Sequence, residues 1–245
     1  VSLKPLIYKK NTNWPDRITF TDTQRKEHLV KWKDFAVMTD RWRLVGRDEL
    51  YDMPLDPGQR ENVAGLHPDV VEKLLAAYEV WWSDISVNAD GYNRVKIGTT
   101  NENPVRLNSY DSHTEEGLPA WSQELVRLAR GDNGFWAVRF VHTGKYQIEL
   151  YRWPKESHLR LNDAAPVGEK ISGGDPYPEG KALNIQEARI KIGEQKLQQT
   201  VTDTAICASF TLDLKKGDYK MECWFTGAED IEKDAYYVYV DYLGN

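Results

Sequence analysis

The hydrophobic and polar positions divide the chain into two stretches of different texture. In the first stretch, short runs of β-branched and aromatic residues cover 17–22, 35–38 and 42–45. The last two runs flank a Thr39-Asp40 turn, as in a β-hairpin. A further run, Glu49-Leu50-Tyr51, ends in a loop rich in Asp, Pro and Gly. The pattern predicts a small antiparallel sheet.

A helix is predicted directly after this loop. Pro68 stands at its first turn, where a missing N–H costs nothing, and Asp69 and Glu72 suit the positive end of the helix dipole. The apolar residues recur at helical spacing and form one broad stripe: Val70, Val71, Leu74, Leu75, Tyr78, Trp81 and Trp82. We expect this stripe, including its two Trp residues, to pack against the sheet.

The second stretch begins after a turn-rich segment at 88–91 and consists mainly of alternating, strand-like runs. These runs cover 93–99, 104–109, 120–128, 134–141, 145–153, 186–192, 204–214, 218–226 and 235–242. The Pro/Gly-rich stretch 155–185 is expected to be a long loop. We predict an α+β protein: a small antiparallel sheet with a C-terminal helix at 1–88, then an antiparallel, jelly-roll-like β-sandwich at 89–245.

Two segments of the second stretch echo each other. Gly144-Lys145-Tyr146 and Gly217-Asp218-Tyr219 each follow an alternating apolar run and start a new strand. Glycine suits a tight turn, so the echo predicts two hairpins in which Tyr begins the return strand.

Composition and charge exclude several functions. The chain has 40% hydrophobic and 29% charged residues and a net charge of −6. This balance argues against nucleic acid and anionic membranes as partners. We expect no membrane span, because no apolar stretch approaches the roughly 20 residues required. The first residues, Val1-Ser2-Leu3, lack an initiator Met and a signal-peptide pattern, so we expect a part of a longer protein.

The two cysteines are expected to be unpaired. Alternation places Cys207 on the polar face of its strand and Cys223 on the apolar face of the next. Opposite faces disfavour a disulfide, because the Cβ atoms must come within about 4.5 Å. The cysteines therefore do not indicate whether the protein resides in an oxidising or a reducing compartment. Neither cysteine begins a C-x-x-C pair, so we expect no structural zinc site.

A composite motif carries a family resemblance. Its parts are Glu49-Leu50-Tyr51-Asp52, Asp56-Pro57-Gly58-Gln59, Asn62-Val63-Ala64 and His67-Pro68. It resembles the "ELYD…DPxE…N" pattern that leads into the last helix of bacterial-type sulfatases, members of the alkaline-phosphatase-like superfamily. Gln59 stands where Glu is commoner in that family. Residues 36–45 are similar to the central hairpin of the same subdomain.

The second stretch is similar to the extra β-sandwich at the end of some bacterial arylsulfatases. Gly144-x-Tyr146 and Arg152-Trp153-Pro154 carry this likeness. Sandwich modules of this shape also occur as carbohydrate-binding domains.

The resemblance implies the C-terminal portion of a sulfuric ester hydrolase. Sulfatases use a formylglycine made in a C/S-x-P-x-R motif, which this sequence lacks. The resemblance therefore implies no catalytic residue, metal site or cofactor in this chain, and an inactive fragment. Calcium and formylglycine are expected in an upstream catalytic domain, which would be its partner, with a sulfated carbohydrate or aryl sulfate as substrate. The family resemblance implies a periplasmic or secreted protein.

The polar loop 23–33 is the best candidate for contact with substrate. It follows a strand, where binding residues tend to cluster. In related sulfatases this subdomain packs near the mouth of the active site, so Gln24, Arg25 and His28 could bind the sugar or aryl part of the ester. Arg25 would suit an anionic group. The alternative is a solvated loop.

Three tryptophans of the second stretch could stack on sugar rings: Trp121, Trp153 and Trp224. Packing between sheets is the commoner role of such residues. Two other functions stay open, a carbohydrate-binding β-sandwich module and the C-terminal part of a related phosphoesterase. The residues that precede Val1 would separate these alternatives.

Overall fold

The chain divides into two units, Val1–Gly91 and Tyr92–Asn245. A computed structural model describes residues 4–8, 16–24, 27–89, 91–228 and 231–244. Each unit builds its own hydrophobic core. Among the described residues no helix is long and apolar enough to cross a membrane.

The first unit contains one antiparallel sheet whose strands follow chain order. Its strands are β1 (Thr19–Asp22), β2 (Phe35–Met38), β3 (Trp42–Val45) and β4 (Glu49–Asp52), and a short helix α1 (Lys4–Ile7) precedes them. Val37 pairs with Leu44, and Leu44 pairs with Leu50. These three side chains therefore lie on one face, and all three are buried. The predicted hairpin is confirmed.

Helix α2 (Pro68–Ile85) covers this face, as its apolar stripe predicts. Leu74 and Tyr78 are buried at its centre. The Tyr78 ring lies 4.2 Å from Phe35, and Trp81 stacks on Phe20 at 5.0 Å between ring centroids. Aromatic contacts thus join the helix to two strands of the sheet.

The described residues of the second unit form two sheets and one short α-helix, α3 (Gln123–Arg127). The larger sheet has the order β10-β9-β12-β7-β5, and a short strand β13 also pairs with β12. These strands are β5 (Val95–Ile97), β7 (Trp136–Phe140), β9 (Ile185–Ile192), β10 (Gln195–Thr200), β12 (Gly217–Gly227) and β13 (Glu232–Asp234). The smaller sheet has the order β11-β8-β14-β6. Its strands are β6 (Val105–Asn108), β8 (Gly144–Tyr151), β11 (Ala208–Leu214) and β14 (Tyr237–Gly244).

Both sheets contribute to one buried cluster. On β12, Met221, Cys223 and Phe225 are buried, whereas Glu222 and Trp224 face outward. This alternation follows the prediction from sequence, and both cysteines are free. The β-rich α+β fold is thus confirmed in outline. The expectation of purely antiparallel sheets is wrong, because β5 pairs with β7 in parallel.

The two echoing Gly-x-Tyr segments are corners between sheets and not hairpins. β7 belongs to the larger sheet and β8 to the smaller one, and the chain crosses back between β11 and β12. In both corners a Tyr hydroxyl donates to the carbonyl oxygen four residues earlier. The distances are 2.7 Å from Tyr146 to His142 and 3.1 Å from Tyr219 to Lys215. The sequence echo therefore reflects a repeated structural device.

The remaining differences concern short elements. Within 120–128, predicted as a strand, residues 123–127 form helix α3, because the Ser122 hydroxyl accepts a hydrogen bond from the Leu125 amide and caps the helix. Strand β10 was not predicted, since all its residues are exposed and it lies at the sheet edge. The predicted long loop 155–185 contains one 3₁₀ turn at Lys155–Ser157 and no strand up to residue 184, and its last residue, Ile185, begins β9.

Candidate functional site

The composite motif of residues 49–68 in the first unit is organised around Asn62. Its Oδ1 accepts hydrogen bonds from the amides of Leu50 and Ala64, each at 3.0 Å. Its Nδ2 donates to the carbonyl oxygen of Asp48 at 3.0 Å. One side chain thereby ties the start of β4 to the approach of α2, which explains why Asn stands here.

The turn of the motif is closed by Asp56. Its Oδ2 accepts hydrogen bonds from the amides of Arg60 at 2.6 Å and Glu61 at 2.9 Å. The bond from Glu61 is the main cause that lowers the pKa of Asp56. Gln59 adopts a left-handed backbone conformation with φ of 51°. The polar groups of Asp56 and Asn62 thus hold the backbone, as expected for a structural motif.

The predicted substrate-contacting residues lie on the loop before β2. Gln24 uses its side chain to close that loop: its Nε2 donates to the Val30 carbonyl oxygen at 2.8 Å, and its Oε1 accepts from the Val30 amide at 2.7 Å. His28 is exposed. Arg25 lies outside the described residues. Contact of this loop with substrate stays a prediction.

An open cleft of about 550 Å³ lies on the outer face of the larger sheet in the second unit. It forms where the neighbour of β12 changes from β7, which pairs with 217–221, to β13, which pairs with 224–226. The cleft is lined by Glu115, Glu116, Asn133, Gly134, Phe135, Lys191, Lys220, Glu222, Trp224, Glu232 and Asp234. A change of strand partner thus leaves a recess in an otherwise continuous sheet.

Trp224 supplies the partly exposed aromatic surface of this cleft. It faces outward because its neighbours on β12, Cys223 and Phe225, point into the core. In register it lies beside Arg189 of β9 and Asp234 of β13. The indole is therefore carried by a central strand and held between two paired neighbours.

Both lysines of the cleft already have partners. Lys191 pairs with Glu222, with 2.5 Å between Nζ and Oε1. The Lys220 ammonium lies 4.0 Å from the centroid of Phe135 and 5.4 Å from that of Tyr92. The lining contains five carboxyl groups against these two ammonium groups. The cleft therefore has an excess of acidic groups and no lysine without a partner.

Asp234 is the most unusual ionisable group of the cleft, because it is only 5% exposed. Its Oδ2 accepts a hydrogen bond from the Gly134 amide at 2.9 Å, whereas Oδ1 makes none with a described residue. Burial raises the pKa of Asp234 to about 8, against the effect of the Gly134 hydrogen bond, and Glu222 and Glu232 contribute to the rise. The carboxyl group is therefore largely protonated at neutral pH.

The backbone beside Asp234 is fixed by close packing. A Cβ atom at Gly134 would lie 2.2 Å from the carbonyl oxygen of His113, so no other residue fits there without a shift. Phe135 forms an isolated bridge with His113, and Asn133 Oδ1 accepts a hydrogen bond from the Asp234 amide at 2.9 Å. The side of the cleft that holds Asp234 is thus preorganised.

Of the three tryptophans proposed for sugar stacking, the structure places Trp224 in this cleft. Trp121 is 52% exposed and is not among the residues that line the cleft, whereas Trp153 is 2% exposed and lies beneath Arg152 at 4.4 Å. The prediction that Trp153 could stack on a sugar ring is therefore wrong, because the side chain is buried and the Arg152 guanidinium covers its ring. Sequence reasoning missed Lys191, Glu222 and Asp234. Alternation on β9 and β12 predicts the outward direction of the first two.

Within the described ranges, no group of three or more His, Cys, Asp or Glu side chains could hold a metal ion.

No family model and no curated protein matches this chain. A solved structure of a ruminal GH26 endo-β-1,4-mannanase is similar over 58% of this chain, at 15% sequence identity and a TM-score of 0.31. The match spans about a quarter of that protein, 26% of its chain.

Proposed function

We propose that this chain is the C-terminal part of a bacterial arylsulfatase-like enzyme, a hydrolase of sulfuric esters. The observation that supports the proposal is the motif from Glu49 to Asn62, together with the way its polar residues are used. The side-chain oxygens of Asn62 and Asp56 accept hydrogen bonds from backbone amides in and after β4, before α2 begins. The resemblance to sulfatases lies in these residues, and their contacts give a physical reason for the spacing of the motif.

In this proposal the chain is a scaffold and the chemistry belongs to an upstream catalytic domain. That domain would supply the formylglycine nucleophile and the calcium ion, and its substrate would be a sulfated carbohydrate or aryl sulfate. The first unit would be the sulfatase C-terminal subdomain, and the loop that carries Gln24, Arg25 and His28 would contact substrate. The second unit would be the accessory jelly-roll-like β-sandwich. A periplasmic or secreted location is part of the same proposal.

The test is to express the complete open reading frame that encodes residues 1–245. We expect a C/S-x-P-x-R motif upstream and hydrolysis of 4-methylumbelliferyl sulfate. The matched control is the same polypeptide with the Cys or Ser of that motif changed to Ala, which should be inactive. The isolated chain of 245 residues should release no sulfate.

Three results would contradict the proposal. Hydrolysis of 4-methylumbelliferyl phosphate, without hydrolysis of the sulfate ester, would favour a phosphoesterase as the full-length protein. An open reading frame without a hydrolase domain would favour a carbohydrate-binding module. Turnover of the sulfate ester by the repurified, isolated chain would show that the catalytic groups lie within it.

A further inference from the structure

We propose that the cleft beside Trp224 binds a segment of an uncharged polysaccharide, with one sugar ring stacked on the indole. The cleft is open at the surface of a sheet and has a volume of about 550 Å³. That volume lies within the range of roughly 300–1,000 Å³ typical of small-ligand sites. The proposal concerns binding by this chain itself and does not depend on the activity of any parent enzyme.

The aromatic surface is suited to a sugar ring. The C–H face of a pyranose is apolar, and an indole offers a large flat apolar area at little entropic cost. Trp224 is carried by the central strand β12 and flanked by Arg189 and Asp234 in neighbouring strands. A rigid platform of this kind loses little freedom when a ligand stacks on it.

The polar groups around Trp224 match hydroxyl groups, which both donate and accept hydrogen bonds. Glutamates of the lining are acceptors, and the Asn133 amide is a donor. Oδ1 of Asp234 has no hydrogen-bond partner among the described residues, and it is not one of the fully buried atoms without a partner, so it is open to the cleft. Because the pKa of Asp234 is raised to about 8, its carboxyl group can donate as well as accept. A polyhydroxyl ligand would satisfy this group.

The charges select against an anionic ligand. With Asp234 protonated, four glutamates remain against two lysines. Lys191 is neutralised by Glu222, and Lys220 lies over aromatic rings. Arg189 beside the indole is likewise paired, with Glu187 at 2.7 Å. A sulfate or carboxylate group would therefore meet net repulsion from the lining, and these cations already have partners. An uncharged chain meets no such repulsion, and its hydroxyl groups can bond the carboxylates of the lining.

Affinity electrophoresis in native gels at pH 7 tests the proposal with the complete chain. The probes are four uncharged polysaccharides (galactomannan, xyloglucan, arabinoxylan and mixed-linkage β-glucan), with dextran sulfate as the anionic probe and glycol chitosan as the cationic one. We expect at least one uncharged polysaccharide to retard the chain. Trp224→Ala should weaken that retardation at least tenfold, and Trp224→Phe should retain part of it, because a smaller aromatic ring remains.

Trp121→Ala is the matched control, since Trp121 is 52% exposed and is not among the residues that line the cleft. It should bind like the unchanged chain. Glu222→Gln should reduce the retardation while leaving the platform in place. Retardation by dextran sulfate or glycol chitosan alone, retardation that Trp224→Ala leaves unchanged, or no retardation by any of the four uncharged probes would each overturn the proposal.

Discussion

Trp224 and Asp234 lie opposite each other in the antiparallel pairing of β12 with β13. Paired residues share one face of a sheet, so an aromatic surface and a carboxyl group that is protonated at neutral pH stand side by side. Trp224 stays partly exposed, whereas Asp234 is almost entirely covered. This pair is the basis of the proposed sugar-binding cleft.

Asp234 should make the stability of the second unit depend on pH. Its pKa is about 8 in the folded chain and 3.8 as the unperturbed value, so the unfolded state binds fewer protons between these limits. The free energy of unfolding should therefore fall as pH rises from about 4 to about 8, by at most about 1.4 kcal/mol per pH unit from this group. Asp234→Asn should flatten that slope in urea titrations at pH 5, 6, 7 and 8.

Asp218→Asn is the control for this pH experiment. The pKa of Asp218 is lowered, chiefly by its hydrogen bond with Arg139, so its stabilising effect is lost only as the pH falls below the ordinary range of an Asp. This variant should leave the slope between pH 5 and 8 unchanged. An equal slope in the unchanged chain and in Asp234→Asn would show that the carboxyl group is ionised in the fold.

Asn62→Ala should destabilise the first unit by about 1–3 kcal/mol, because the amides of Leu50 and Ala64 lose their acceptor. Chemical denaturation followed by circular dichroism measures this loss. The control is Asn88→Ala, which removes an exposed Asn of the same unit that has no side-chain hydrogen bond with a described residue. Equal stabilities of the two variants would contradict the bracing role of Asn62.

Leu74→Ala should lower the free energy of unfolding by about 2–5 kcal/mol, because the side chain is 1% exposed and its loss leaves a cavity. Val80→Ala lies on the same helix at a position that is 72% exposed and should change stability by less than about 0.5 kcal/mol. Differential scanning calorimetry of both variants checks the pair. If Leu74→Ala and the unchanged chain had the same melting temperature, the apolar stripe of α2 would not be part of the core.

The hydroxyl groups of the two corner tyrosines, Tyr146 and Tyr219, should contribute unequally to the free energy of unfolding. Tyr146→Phe removes a hydroxyl from a fully buried ring and leaves the His142 carbonyl oxygen without that donor, so we expect a loss of about 1–3 kcal/mol. Tyr219 is only partly buried, and Tyr219→Phe should cost about 0.5–1 kcal/mol. Tyr110→Phe, at an exposed position, is the control for urea denaturation. A larger effect at Tyr219 than at Tyr146 would contradict this ranking.

Local patterns predicted the elements whose neighbours are close in sequence. The stripe that contains Leu74 and Tyr78 predicted α2, and the Thr39-Asp40 turn predicted the hairpin of β2 and β3. The Ser122 cap is a local helix signal within 120–128, the run whose apolar pattern predicts a strand. The Gly-x-Tyr segments show the limit, because a tight turn has the same local sequence whether it joins two paired strands or leads to another sheet.

The sequence by itself determined which residues face inward, because a period of two on β12 places Cys223 inside and Trp224 outside whatever the strand order. It also determined helix α2, because the apolar stripe of that helix is local in sequence. Only the tertiary structure decided that β12 changes partner from β7 to β13 and leaves a cleft. The burial of Asp234 and its raised pKa depend on segments about 100 residues away in the chain, since Gly134 and Asn133 contact it across separations of 100 and 101 residues. Such contacts carry no local periodicity, and they arise only when the strands have assembled.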